Sequence, residues 1–127
     1  MSEWTFMEFL TSSGRGVITE WYADDLTLEA QQEFDTILRF LAVTPRVLWT
    51  RPQYSPLTPE ISEIRFRANN LQHRPLGFFR SEAKQYIMVV GATKKGRLYT
   101  PREALSTAVD RKNRILTRRS LIRTYDY

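Results

Sequence analysis

The sequence predicts an α+β fold: a small, twisted, mainly antiparallel sheet, made of an N-terminal strand and a three-strand meander, with two N-terminal helices on one face and a C-terminal helix. Three observations predict it. First, residues 63–95 hold three apolar runs separated by polar breaks at 68–72 and 81–84. Strand-sized runs with breaks of that length are the pattern of consecutive hairpins. Second, Phe34, Ile37, Leu38 and Leu41 recur at i, i+3, i+4 and i+7, the stripe of an amphipathic helix. Third, Thr100-Pro101-Arg102-Glu103 reads as a capping box with proline at the first helical position, which opens a last helix.

Taken in order, residues 4–10 (WTFMEFL) make a first strand, broken at Ser12-Ser13-Gly14. Val17, Ile18, Trp21 and Tyr22 give residues 15–23 helical spacing, with Glu20, Asp24 and Asp25 in solvent. Thr27 caps the second helix, Glu29 suits its first turn, and Pro45 ends it. Residues 45–60 contain Pro45, Pro52, Pro56 and Pro59 and form an extended connector within one domain. Trp49 and Tyr54 in this connector pack on the sheet; the functional alternative is base stacking.

The meander strands are expected at 61–68, 73–80 and 85–92. In the first, Ile64, Phe66 and Ala68 alternate with Glu63, Arg65 and Arg67. Period two sends the apolar set to a core and presents the charged set on the other face. The second strand carries Arg74 near its start and Arg80 at its end. The third, with Tyr86, Ile87, Met88, Val89 and Val90 in succession, suits a central strand covered on both faces. Lys94-Lys95-Gly96-Arg97 follows. In the last helix, Ala104, Leu105, Ala108, Val109, Ile115 and Leu116 form the apolar side. Arg111, Lys112, Arg114, Arg118 and Arg119 make the rest positive. Leu121 and Ile122 continue the helix or form a packed tail, and the last residues fray.

Composition narrows the function. A chain of 127 residues, 42% hydrophobic and 26% charged, fits one globular domain spanning 1–127. It contains no cysteine and one histidine, so thiolate chemistry, disulfides, multi-histidine metal sites and cofactors are not expected. No apolar run reaches the roughly 18 residues of a membrane span, and the N-terminus lacks the pattern of a signal peptide. These features fit a cytoplasmic protein. Residues 1–59 hold 4 Lys+Arg against 8 Asp+Glu, whereas residues 60–127 hold 15 against 6. The basic second half is the footprint of a polyanion binder or of a surface that meets an acidic partner.

Paired-carboxylate catalysis finds little support in this half, whose acids include Glu60, Glu63, Glu82, Glu103 and Asp110. Arg, Lys, Tyr and one His can instead bind a phosphate, stabilise its added charge in a transition state and move a proton. Metal-free RNA cleavage has those requirements, because the RNA 2′-hydroxyl supplies the nucleophile.

Three stretches carry a resemblance: Glu63-Ile64-Arg65-Phe66-Arg67, the run from His73 and Arg74 to Phe79 (HRPLGFF), and the run from Val89 to Lys95 (VVGATKK). Together with the order of elements they resemble the RelE/ParE toxin superfamily, and within it the HigB-like, phage-associated branch of type II toxin–antitoxin systems. The resemblance implies a RelE-like fold and a ribosome-dependent mRNA endonuclease that inhibits translation. It also implies two kinds of partner: the ribosome with its mRNA, and an antitoxin with a helix-turn-helix domain of the HigA kind.

Carried over, Arg67 and Arg74 bind the scissile phosphate, Lys94 or Lys95 assists proton transfer or neutralisation, and His73 is general acid or base. Arg65, Arg80, Arg97 and Tyr99 contact nucleic acid. Arg74→Ala is then expected to abolish toxicity without unfolding the chain. The same residues have plainer readings as solvated strand charges, a hairpin histidine and an exposed loop. Glu63 departs from the pattern, standing where some members have lysine. Two other functions stay open: a ParE-like gyrase inhibitor and a non-catalytic nucleic-acid-binding protein.

Overall fold

Ten strands and three α-helices make up a computed structural model that describes residues 3–127. Strand β1 (Thr5–Phe9) leads into helices α1 (Val17–Asp25) and α2 (Leu28–Ala42). After a 3₁₀ turn (Arg46–Leu48) come β2 (Tyr54–Pro56), β3 (Ser62–Ile64), β4 (Phe66–Ala68), β5 (Leu71–His73) and β6 (Leu76–Arg80). Then follow β7 (Gln85–Val90), β8 (Thr93–Lys95), β9 (Leu98–Thr100), α3 (Ala104–Leu116) and β10 (Ile122–Thr124).

The strands form two sheets, a six-stranded one in the order β10-β1-β7-β6-β3-β2 and a four-stranded one in the order β4-β5-β8-β9. The β1–β7 pair is parallel and the other pairs are antiparallel. The class is therefore α+β as expected, with more strands than four.

Three of the six extra strands arise because every meander strand is bent; β2 comes from the connector, and β9 and β10 from residues after the meander. The run expected at 61–68 divides at Arg65, that at 73–80 divides at Arg74-Pro75 and begins earlier, and that at 85–92 divides at Gly91-Ala92. The three bends lie side by side, since Ile64 N donates to Pro75 O (3.0 Å) and Arg74 N donates to Ala92 O (2.7 Å). Pro75 has no N–H to continue a ladder. At Gly91 the backbone runs against the Trp21 indole, where a Cβ would overlap the ring. The meander thus folds along one crease, and its far half becomes the small sheet. Its β4–β5 hairpin turns through Asn69 and Asn70, at φ 55° and 61°. Asparagine tolerates this left-handed pair in a two-residue turn.

Strand β7 is buried on both faces, as its continuous apolar run predicts. Tyr86 and Met88 face Phe6, Ile18, Trp21, Phe34, Leu38 and Leu41, the layer of α1 and α2. Ile87 and Val89 lie with Leu76 and Phe78 of β6 on the face covered by Ala104, Ala108 and Ile115 of α3. Each fully buried side chain of this size stabilises by roughly 1.5–3 kcal/mol. Thr27 Oγ1 accepts from Ala30 N at 3.2 Å and caps α2 as expected.

Trp49 and Tyr54 are core residues. Trp49 lies 4.9 Å from the Phe79 ring and 5.4 Å from Tyr86, so neither connector aromatic is a stacking platform.

Two C-terminal expectations need correction. Thr100 does not cap α3: it pairs with Thr93 in the small sheet, and the helix starts at Ala104 without a side-chain cap. The strand pairing takes the residue that the capping motif would need. Of the two readings of Leu121 and Ile122, the packed tail holds and the continued helix does not, and the last residues do not fray. The tail returns as β10 against β1, and Tyr125 is buried beside Phe34 at 5.8 Å. Leu116, counted on the apolar side, is exposed at the end of α3.

Glu8 holds this return in place. Its buried carboxylate accepts from Ile18 N (2.9 Å), Thr19 N (2.8 Å) and Arg123 Nη2 (2.9 Å), joining β1, the start of α1 and β10. No described helix is long and apolar enough to cross a membrane.

Candidate nucleic-acid interface

Register in the small sheet creates one transverse row of side chains. Arg67 is opposite Gln72, Gln72 opposite Lys94, and Lys94 opposite Tyr99. Directly paired residues share a sheet face. The other face carries Phe66, His73, Thr93 and Thr100 in the next row. There Phe66 meets Phe34 of α2 at 5.4 Å, so the Arg67 row is turned away from the helices.

At the crease, Glu63 gathers the neighbouring groups. Its Oε2 lies 3.6 Å from Arg74 Nε and 3.8 Å from Arg65 Nε, and its Oε1 accepts from Tyr99 Oη at 2.7 Å. Arg74 also donates to His73 O (2.9 Å) and Gln72 Oε1 (2.6 Å). Arg74 is only 4% exposed. Burial pulls its pKa down and Glu63 pushes it back up. Burial, then the hydrogen bond to Glu63, raise the Tyr99 pKa strongly. Lys94 Nζ sits 5.1 Å from the Tyr99 ring centre, a cation–π contact. The result is a fixed Arg74–Glu63–Tyr99 base beneath the more accessible cations Arg65, Arg67 and Lys94.

A groove of about 580 Å³ opens beside this face. One wall is Arg65, Phe66, Arg67, Gln72 and Arg74. The other is Glu33, Thr36, Ile37 and Phe40 of α2, with Pro52 and Gln53 at the end. The walls are tied together at the β4–β5 turn, where Asn69 N donates to Glu29 Oε2 (2.8 Å) and the Thr27 hydroxyl bonds Asn69 Oδ1.

Of the expected site residues, Arg65, Arg67, Arg74, Lys94 and Tyr99 come together. The other four do not join them. His73 is 3% exposed, stacked on Phe66 at 4.9 Å with Trp21 at 6.3 Å. Burial first, and Arg74 beside it, lower its pKa. Lys95 pairs with Leu98 one position beyond the row, which by period two directs it to the other face. Arg97 is exposed in the β8–β9 turn, and Arg80 lies at the far end of β6, in a cavity with Leu116 and Arg118.

Several cations of α3 serve packing. Arg111 donates to Val89 O (2.7 Å), and Lys112 donates to Glu60 O (3.0 Å).

Sequence reasoning missed Glu63 as the organiser and the outer face of α2 as a wall. The acid alternating with Arg65 and Arg67 was a signal for the first. The second had none, because Glu33 and Phe40 belong to a different element. Among the described residues no three His, Cys, Asp or Glu side chains gather as a metal site. Comparison with known protein families, with curated proteins and with solved structures finds no match to this chain.

Proposed function

We propose that the chain is a toxin of the RelE/ParE kind, acting as a ribosome-dependent mRNA endonuclease. The observation that carries this reading is the row Arg67–Gln72–Lys94–Tyr99, flanked by Arg65 and the buried Arg74. Arg67 and Arg65 bind the phosphates of a single strand. Lys94 meets the charge that grows on the phosphate as the 2′-oxygen attacks phosphorus and the 5′-oxygen leaves. A proton leaves the 2′-hydroxyl and another reaches the 5′-oxygen, giving a 2′,3′-cyclic phosphate and a 5′-hydroxyl. Arg74, immobilised by Glu63 and Gln72, contributes fixed positive potential. Tyr99 keeps its proton and serves as a surface beside the strand. The proposed partners are the cytoplasmic ribosome with its mRNA and a HigA-like antitoxin that covers the basic face.

The test is to add the purified chain to a ribosome-programmed translation mix and map mRNA ends by primer extension, with Arg67→Ala as control. New ends at A-site codons with the wild type alone support the nuclease. Intact mRNA with folded protein removes it, and a DNA supercoiling assay then addresses gyrase. The position of His73 in the core favours a second reading, binding of nucleic acid without cleavage. Salt-sensitive RNA binding with no new ends is its signature.

A further inference from the structure

The helix wall of the groove is not used by phosphate binding. Glu33, Thr36, Ile37 and Phe40 follow one another at i, i+3, i+4 and i+7 and line it together. Ile37 is buried, but Phe40 is 50% exposed, an aromatic side chain held at the mouth of a cleft. Glu33 is exposed and makes no ion pair among the described residues. Arg65 and Arg67 line the same groove at the β4 edge. One cleft therefore combines an apolar surface, a free carboxylate, the exposed guanidinium of Arg67 and the half-buried one of Arg65, which is paired with Glu63. Its volume of about 580 Å³ lies in the range of sites for single small ligands.

We infer that this groove is a base-recognition subsite for one nucleotide of a single RNA strand, with a preference for guanine. The inference rests on the reading of the adjacent face as an RNA surface. The phosphate lies on Arg65 and Arg67, the base lies against Phe40, and Glu33 accepts hydrogen bonds from the base edge. A carboxylate has only acceptors to offer. Guanine presents two adjacent donors, N1–H and the N2 amino group, which one carboxylate takes together. Adenine and cytosine present one amino group beside an acceptor, and uracil one N–H between two acceptors. That edge is free only in an unpaired base. An acidic segment of a partner protein would also meet the arginines, but Glu33 repels it.

The test titrates the isotope-labelled full chain with the four ribonucleoside 5′-monophosphates and follows amide and arginine Nε–H resonances. GMP is expected to bind about tenfold tighter than AMP, CMP or UMP, the scale of one bidentate base contact. Glu33→Gln should erase that preference, Phe40→Ala should weaken all four, and Arg67→Ala should weaken all four equally. All three side chains are exposed, and the amide spectrum checks that each variant is folded.

Equal affinity for GMP and UMP overturns the inference, as do shifts that avoid residues 33–40. Binding lost in Arg67→Ala but unchanged in Glu33→Gln and Phe40→Ala reduces the groove to a phosphate contact and also overturns it. Ribosomal cleavage is read separately. GMP bound in the groove without cleavage keeps the subsite and removes the nuclease, whereas cleavage without GMP binding does the reverse.

Discussion

Glu63 and Arg74 form a buried ion pair at the crease of the meander, with Oε2 3.6 Å from Nε and side chains 3% and 5% exposed. A charge this deep is tolerated because its counter-charge lies beside it and Arg74 Nη1 and Nη2 donate to His73 O and Gln72 Oε1. Arg74→Ala, expected to abolish toxicity without unfolding the chain, therefore also carries a stability cost. Removing either partner strands the other away from water. Arg74→Ala and Glu63→Gln should each cost about 3 kcal/mol in urea unfolding. The double variant Glu63→Gln/Arg74→Ala should be less destabilised than the sum by about 1 kcal/mol or more. Additive losses would show that the pair is not coupled.

Under the proposed function, Arg67 and Lys94 are the positions at which RNA binding can be tested apart from stability. Arg67 is exposed and Lys94 half-buried, and neither has an ion-pair partner among the described residues. Alanine at either should change unfolding free energy by no more than about 0.5 kcal/mol. Each should also lower the slope of log affinity against log salt for single-stranded RNA by about 0.7. An unchanged slope in both variants would place the RNA elsewhere.

His73, the only histidine, gives stability a clean pH signature. Its folded pKa is lowered, by burial first. Below the ordinary value of about 6.5 the unfolded chain binds a proton that the folded chain refuses. Its contribution is thus present above about 6.5 and lost as pH falls below it. Urea unfolding at pH 7.5 and pH 5 should show the loss, and His73→Phe, which keeps the stack on Phe66, should flatten that part of the profile. A variant with the wild-type slope would assign the effect to carboxylates.

Glu8 should matter more than its place on a short strand implies. Glu8→Ala leaves two amides at the start of α1 and Arg123 without their acceptor. A loss of about 3 kcal/mol is expected from hydrogen bonds to a buried charge. Arg123→Ala should cost nearer 1 kcal/mol, because its side chain is 47% exposed. Equal losses would mean that the ion pair, rather than the cap, holds the three elements.

Local periodicity was enough to read the helices of the first half, the apolar central strand β7 and the alternation of Ile64, Phe66 and Ala68 against arginines. Each of these depends on residues within one or two turns or strands. The same reading failed at Thr100, where a good capping motif lost its threonine to strand pairing with Thr93. It left the C-terminus open between a continued helix and a packed tail, because β10 closes on a strand more than 100 residues earlier (Arg123 to Glu8, |i−j| = 115). For the site, the alternation Glu63, Arg65, Arg67 correctly announced a charged face, but exposure could not be read from it, and Arg74 went into the interior with Glu63.

By itself, then, the sequence determined the class of fold, the order of the helices and the presence of a basic face, because helix and strand periods record which side of an element meets water. Only the tertiary structure decided that the meander bends along one crease, that His73 leaves the site while Lys94 and Tyr99 enter it, and that α2 supplies Glu33 and Phe40 as a second wall. Those outcomes depend on register and on contacts between distant segments, and neither leaves a local trace in the chain.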